Sequence, residues 1–302
     1  MSKAYETLLE YKREGLTEVS KLGNVCWFSD DKIIHLCGED QLIYARSIAK
    51  PFHMKGLAQD LDKSLSWEEK ALSVSSHNAE AIHLQTLKGL LAKGTGDLLL
   101  PPGKSPDDKE PNAHYHPCSG EHSAILCGCK LKNWKIDYTS IEHPFHLSFV
   151  SYIKSVLGSS WEAKHVAVDG CGLPTLSFRL SELAKLYANL VQEQKKDWIW
   201  DAMIRNPHLV GGSERLDTKI IKTCGGHVIA KEGADGLLGI SIQHPEFPKG
   251  LGVVIKLSYG QDAQAMSFVA NEVLSFLGWK GHFTSKLFRQ TVFANKHIVP
   301  EK

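Results

Sequence analysis

The sequence predicts an α+β fold in which one antiparallel sheet is assembled from strands at both ends of the chain around a helical middle. Three observations carry this. Short apolar runs separated by turn residues open the chain, helical periodicity fills its centre, and glycine-bounded β-rich runs return in the last third. Strands and helices segregated in this way, rather than alternating, argue for an antiparallel α+β arrangement instead of a parallel βαβ one.

The opening strands are expected at Gly23–Phe28, Lys32–Leu36 and Gln41–Ala45, separated by Ser29-Asp30-Asp31 and Gly38-Glu39-Asp40, and read as a meander. Ser66-Trp67-Glu68-Glu69 has the serine and the glutamate three residues later that cap a helix start reciprocally. A helix follows over Ala79–Lys93, where Ile82, Leu84, Leu87, Leu90 and Leu91 are spaced for one face. Gly94–Asn112, with four prolines and mixed charges, reads as a long surface connection. Helices are expected again at His146–Leu157 and Leu180–Lys195, the second with Ser181 near its cap. Lys219–Lys222, His227–Lys231, Leu237–Ile242 and Leu251–Leu257 read as strands, and Ala263–Leu277 as a helix. The whole of residues 1–302 reads as one domain, with 279–302 as a tail or interface arm.

The 35 basic and 34 acidic side chains nearly cancel, so no excess positive field is available for nucleic acid or an acidic membrane surface. No apolar run reaches the ~18 residues that a membrane span needs. The N-terminus reads as offering no secretory signal, so a cytoplasmic location is expected. Seven cysteines, an odd number in a chain this long, fit reduced thiols better than a disulfide framework.

The first chemical signal is Arg46-Ser47-Ile48-Ala49-Lys50-Pro51. Residues at i and i+3 share a helix face, so the Ser47 hydroxyl and the Lys50 amine can meet on one turn. Pro51 is tolerated only near a helix start, where the dipole adds positive potential and helps keep a lysine neutral. A serine needs such a base before it can attack a carbonyl. Ser76-His77-Asn78 and Lys231-Glu232-Gly233 follow in the chain order S-x-x-K, S-x-N, K-x-G, the order found in serine β-lactamases and penicillin-binding proteins. In that arrangement Ser47 is acylated, Lys50 shuttles its proton, and Ser76 with Lys231 relays protons or holds a substrate carboxylate.

A second constellation pairs His116-Pro117-Cys118-Ser119-Gly120-Glu121-His122 with Asp169-Gly170-Cys171-Gly172-Leu173-Pro174-Thr175. Two thiols and a third ligand from Glu121 or His122 make a workable zinc set with one position open, and buried unliganded cysteines are the alternative. Cys127 and Cys129, beside Ala124-Ile125-Leu126, read as core.

Five ordered motifs, R-S-x-x-K-P at Arg46–Pro51, S-H-x-x-E at Ser76–Glu80, C-S-G-x-H at Cys118–His122, D-G-C-G-x-P at Asp169–Pro174 and K-x-G-A-D-G at Lys231–Gly236, resemble the Rhizobium-type L-asparaginase family. The resemblance implies a serine β-lactamase-like fold, a homodimer, and hydrolysis of L-asparagine, a small-molecule amide, to L-aspartate and ammonia. It also implies catalysis by Ser47, Lys50, Ser76 and Lys231, substrate binding at Arg46, His77, Asn78, His122 and Asp169, and zinc near the active site on Cys118 and Cys171. The family places lysine, its third zinc ligand, in C-S-G-K-H; here that position is Glu121, which becomes the expected third ligand. Other readings are a different serine acyl hydrolase, such as a glutaminase, esterase or penicillin-recognising enzyme, and an inactive zinc or small-molecule binding protein.

Overall fold

The computed structural model describes residues 4–107, 110–279 and 291–301. The chain opens with β1 (Glu6–Arg13), β2 (Leu16–Ser29), β3 (Lys32–Cys37) and β4 (Leu42–Tyr44). The helical centre holds α1 (Lys50–His53), α2 (Ala58–Leu61), α3 (Trp67–Ser73), α4 (Ala81–Lys93), α5 (Ser119–Lys132) and α6 (Pro144–Leu157). Then come β5 (Val166–Val168), β6 (Pro174–Arg179), α7 (Leu180–Glu193), α8 (Ile199–Arg205), α9 (Pro207–Val210) and α10 (Leu216–Thr223). The chain finishes with β7 (Val228–Gly233), β8 (Leu237–His244), β9 (Phe247–Leu257), α11 (Ala263–Phe276) and β10 (Thr291–Ala294). This is the expected mixture of helices and antiparallel sheet. It divides into two compact units, one of Met1–Ile43, Phe178–Gln192 and Lys219–Lys302, the other of Tyr44–Ser177 and Glu193–Thr218.

The first unit is built on a sheet of order β10-β1-β2-β9-β8-β7, with β3 also paired to β2. Glu14 and Gly15 (φ 47° and 84°) turn β1 into β2, and Asp30 and Asp31 (φ 49° and 58°) turn β2 into β3. Both residues of each turn are left-handed, as two-residue hairpins require to match strand twist. The strand β2 is long enough to pair with β1 through Leu16–Gly23 and with β9 through Gly23–Phe28, so the N-terminal strands join the C-terminal ones as expected. Trp27, fully buried, packs edge-on against Phe276 and donates its indole N–H to the Ile298 carbonyl at 3.1 Å. A Cβ at Gly252 would overlap the Ala184 carbonyl, which is how closely α7 lies on β9.

Three expectations change here. β1 precedes the predicted strands. β4 leaves the meander to pair with β6, because the chain turns at Gly38 (φ 84°) and Asp40 is spent capping α7, accepting from the Ser181 N–H at 2.8 Å and hydroxyl at 2.7 Å. Lys219–Lys222 is helical within α10, since Leu216 and Ile220, four residues apart, are both buried. In the segment expected as a tail, β10 pairs with β1 through Leu9↔Ala294 and Ile298 is buried, while residues 280–290 lie outside the described residues.

The second unit is a helical bundle in which α3 packs against α4, α5 and α8, and α1 packs on α6. Ser66 and Glu69 cap α3 reciprocally, as predicted. Residues 94–112 form no helix or strand among the described residues, only a bridge between Gly103 and Asn112. β5 and β6 pair antiparallel in a three-stranded sheet of order β4-β6-β5. The helix α5, not anticipated, carries the Cys118–His122 motif into the bundle interior, where Cys127 and Cys129 are core residues.

Candidate active site

Ser47 lies in a 3-10 turn over Arg46–Ala49 that leads directly into α1, with Pro51 at the helix start, where its missing N–H costs nothing. The Lys50 N–H donates to the Ser47 carbonyl, so nucleophile and lysine stand one turn apart. The Ser47 side chain is half-buried, and among the described residues its hydroxyl has no hydrogen-bond partner. Just before it, Arg46 holds a left-handed backbone (φ 49°), a strained conformation worth roughly 1–3 kcal/mol in a residue with a side chain. Two contacts keep it there: the Arg46 N–H donates to Thr175 Oγ1 at 3.2 Å, and Arg46 Nε donates to Asp169 Oδ1 at 2.7 Å. The predicted residues Arg46 and Asp169 thus form one partly buried ion pair beside Ser47.

Lys50 is 2% exposed and donates from Nζ to the Ser75 carbonyl at 2.5 Å. Glu121, 1% exposed, sits with Oε2 3.5 Å from that ammonium and Oε1 2.7 Å from His53 Nδ1. A carboxylate can only accept, so the Nδ1 proton belongs to His53. Burial opposes the charge on Lys50, but the negative charges at Cys118 and Glu121 outweigh it and raise the ammonium above its ordinary pKa. This runs against the expectation that the helix start keeps Lys50 neutral: two anionic neighbours, Cys118 and Glu121, outweigh the dipole of a four-residue helix. Burial likewise opposes ionisation of Glu121, and Lys50 and His53 together hold its carboxyl below the ordinary range.

Cys118 and Cys171 are brought together. The Cys171 thiol hydrogen-bonds Cys118, which also lies at the start of α5 and beside Lys50 and His116, so Cys118 is held well below the ordinary thiol range against the opposing effect of burial. Cys171 is pushed up, by that hydrogen bond first and by burial second. These two sulfurs suit zinc. The expected third ligand, Glu121, has its two oxygens on His53 and Lys50, and no group of three or more His, Cys, Asp or Glu side chains capable of holding a metal occurs among the described residues.

Ser76, His77 and Asn78 lie between two backbones: Ser76 N–H donates to Val210 at 2.9 Å, His77 N–H to Pro117 at 3.1 Å and Asn78 N–H to Gly211 at 3.1 Å. The Ser76 hydroxyl is buried and has no hydrogen-bond partner among the described residues. His77 does not face the open: it is fully buried, accepts from the Ala79 N–H at Nδ1 and donates from Nε2 to Ser119 Oγ at 2.8 Å. Burial pushes its pKa down to about 3, so it stays neutral. Neutral too is His122, lowered to about 4 by burial; its Nδ1 lies 3.0 Å from the Tyr138 hydroxyl and its Nε2 is buried and unpartnered. Asn78 is exposed. Lys231, fully buried on β7 and donating to the Glu232 carbonyl at 2.8 Å, belongs to the sheet unit, whereas the other predicted residues belong to the helical one. A cavity of about 690 Å³ lined by Trp67, Trp198, Asp62 and Asp201 contains none of them.

Sequence reasoning missed His53, although it lies three residues after Lys50 on the same turn. It also missed Ser119 and Tyr138, whose contacts with His77 and His122 are non-local and leave no trace in spacing.

A comparison with curated proteins found no match. The sequence model of the L-asparaginase II family matches residues 9–299. That span holds all five motifs and both sulfur-bearing turns, and the chain belongs to the L-asparaginase II family.

Proposed function

We propose that the protein hydrolyses L-asparagine to L-aspartate and ammonia through an acyl-enzyme on Ser47. The observation that carries this reading is a serine hydroxyl with no hydrogen-bond partner among the described residues, one turn before a buried lysine, in a chain of the L-asparaginase II family. Ser47 Oγ attacks the side-chain carboxamide carbon; its proton passes to the Lys50 amine and then to the departing ammonia. Water hydrolyses the aspartyl ester with Lys50 again taking the proton. Because neighbouring anions favour the ammonium, Lys50 takes up the Ser47 proton only in the fraction of molecules in which it has lost its own to solvent, a fraction that grows as the pH rises. Arg46 and Asp169, paired at 2.7 Å, supply opposite charges suited to the carboxylate and ammonium of an amino acid. Ser76 and Lys231 keep the roles their motifs imply, relaying protons or holding the substrate carboxylate.

Zinc, where bound, would be held by the Cys118 and Cys171 thiolates and would polarise a carbonyl as a Lewis acid. No step above uses it. A serine β-lactamase-like fold and a homodimer belong to the same reading, supported by the sheet shared between both chain ends and by the family. Seven free cysteines support a reducing, cytoplasmic location. Ammonia release measured on asparagine, glutamine and simple amides tests the reading: asparagine should be turned over fastest, and turnover of glutamine or esters in preference to asparagine would replace the substrate.

A further inference from the structure

Outside the Ser47 to Cys171 cluster, a set of polar contacts in the helical unit surrounds Glu80, a residue that the mechanism leaves unused. Glu80 lies two residues beyond Asn78 and caps the approach to α4. Its Oε1 accepts from the Ser213 N–H at 2.8 Å, and its Oε2 accepts from the Ser213 hydroxyl at 3.0 Å and from His208 Nε2 at 2.7 Å. The Glu80 N–H donates to His83 Nδ1 at 3.2 Å, which leaves the proton of that ring on Nε2, where it points to the His208 carbonyl at 3.1 Å. His77, His83 and His208 stack nearly parallel, with ring centroids 5.2 Å and 5.5 Å apart. The contacts of Glu80 with Ser213 and His208, and of His83 with His208, tie residues 207–213 to residues 76–83, while the Glu80–His83 bond and the His77–His83 stack order the second segment within itself.

The same two segments meet at the backbone, where Val210 and Gly211 accept from the N–H groups of Ser76 and Asn78. Gly212 fits between them only as glycine. Its φ is 135°, and an added Cβ would stand 2.6 Å from Glu80 Oε1 and 2.9 Å from Asn78 Nδ2. Ala79 has a left-handed backbone (φ 56°), supported by its N–H donating to His77 Nδ1 at 3.0 Å. Strain of this kind persists only where surrounding contacts over-determine it. Among the described residues Ser76 Oγ has no hydrogen bond of its own to set its position. The backbone that carries it is therefore placed by the clasp.

We infer that Glu80 is a positioning residue for Ser76, clasping residues 207–213 onto residues 76–78 through Ser213, His208 and His83. The inference rests on the reading that Ser76 serves the reaction. Removing the Glu80 carboxylate loosens the clasp without touching any group proposed to contact substrate. The Gln variant keeps one accepting oxygen and the size of the side chain, but loses the charge and the second acceptor, so it retains only part of the clasp.

The experiment compares the unaltered chain with Glu80→Ala, Glu80→Gln, Ser76→Ala and the Glu80→Ala/Ser76→Ala double variant. Amide exchange is followed on peptides covering residues 74–80 and 206–214, and asparagine turnover is followed by ammonia release. Glu80→Ala should speed exchange in both peptides by about tenfold or more and leave sheet peptides such as 251–257 unchanged. It should lower kcat by roughly 10–100-fold with KM moved much less, and Glu80→Gln should recover part of both effects. In the Ser76→Ala background it should cost little more, because a residue acting through Ser76 has nothing left to position. Unchanged exchange in Glu80→Ala overturns the clasp; faster exchange with unchanged kcat, or a full further loss in the double variant, overturns the positioning role. If the unaltered chain turns over no amide, the functional reading falls alone, and the exchange comparison still decides the clasp. Should Glu80→Ala fail to fold, Glu80→Gln carries the same comparisons: partial loss of protection and of kcat supports the role, and no change in either overturns it.

Discussion

Replacing Glu121 by alanine isolates the charge balance at the centre of the site. Glu121 and Lys50 are 1% and 2% exposed, and their charged atoms are 3.5 Å apart, with His53 on the other carboxylate oxygen at 2.7 Å. Removing one member of a buried ion pair strands the other in a poorly solvated place, which costs about 3–5 kcal/mol. The Cys118 thiolate remains as a second anion beside Lys50 and keeps the loss within that range. Urea unfolding at neutral pH should therefore show Glu121→Ala less stable by about 3–5 kcal/mol at an unchanged m value. Glu121→Gln, which still accepts from His53 but carries no charge, should fall between. The pH dependence has a definite sign. Folding holds the Glu121 carboxyl below its ordinary pKa of 4.5, so its stabilisation is complete above that value and fades as the pH falls through it. The stability difference between the unaltered chain and Glu121→Gln should shrink on acidification below about pH 4. A loss under about 1 kcal/mol in Glu121→Ala, or a difference that grows on acidification, would refute the view of Glu121 as the counter-ion of Lys50.

Other outcomes follow from the same geometry. Lys50→Arg should leave almost no asparaginase activity, because a guanidinium cannot give up its proton, and turnover by the unaltered chain should climb with pH through the alkaline range, since the anions around Lys50 raise its pKa; an active arginine variant excludes Lys50 as the base. Elemental analysis of protein expressed with added zinc should show that Cys118→Ser and Cys171→Ser each remove bound metal while Glu121→Ala does not, as that carboxylate is already engaged by His53 and Lys50; loss of zinc in Glu121→Ala would restore it as the third ligand. Gly252→Ala, which drives a Cβ into the Ala184 carbonyl, should lower stability by roughly 1–3 kcal/mol or more in thermal or urea unfolding, and a neutral result would contradict the close packing of α7 on β9.

Much of the fold was legible because local signals agree with the tertiary structure. The Ser66 capping box, the α4 face with Leu87 and Leu90 buried, and the glycine-bounded strands β7 to β9 all follow their patterns. What escaped depends on context. Glu6–Arg13 alternates charged and apolar residues too irregularly to declare a strand, and its partner β10 is nearly three hundred positions away. Lys219–Lys222 is too short to show a period; only by including Leu216 does the helical spacing emerge. In the site, spacing put Ser47 and Lys50 on one turn, and motif order marked both cysteine turns that the fold brings into contact. The electrostatics were not readable in this way. The neutral lysine was argued from the residues next to it in sequence, whereas the charges that raise its pKa, Cys118 and Glu121, both lie more than sixty residues along the chain. Glu121, expected on a metal, instead faces His53 and Lys50.

The central claim is that Ser47 is acylated by asparagine, and ammonia release by Ser47→Ala beside the unaltered chain tests it most directly. Circular dichroism and urea unfolding should first show the two proteins equally folded, because the half-buried hydroxyl has no hydrogen bond among the described residues to lose. Turnover of asparagine should then fall on the order of 10³-fold or more in the variant, as it does when a covalent nucleophile is removed. Turnover within a few-fold of the unaltered chain would contradict the account and move the nucleophile elsewhere.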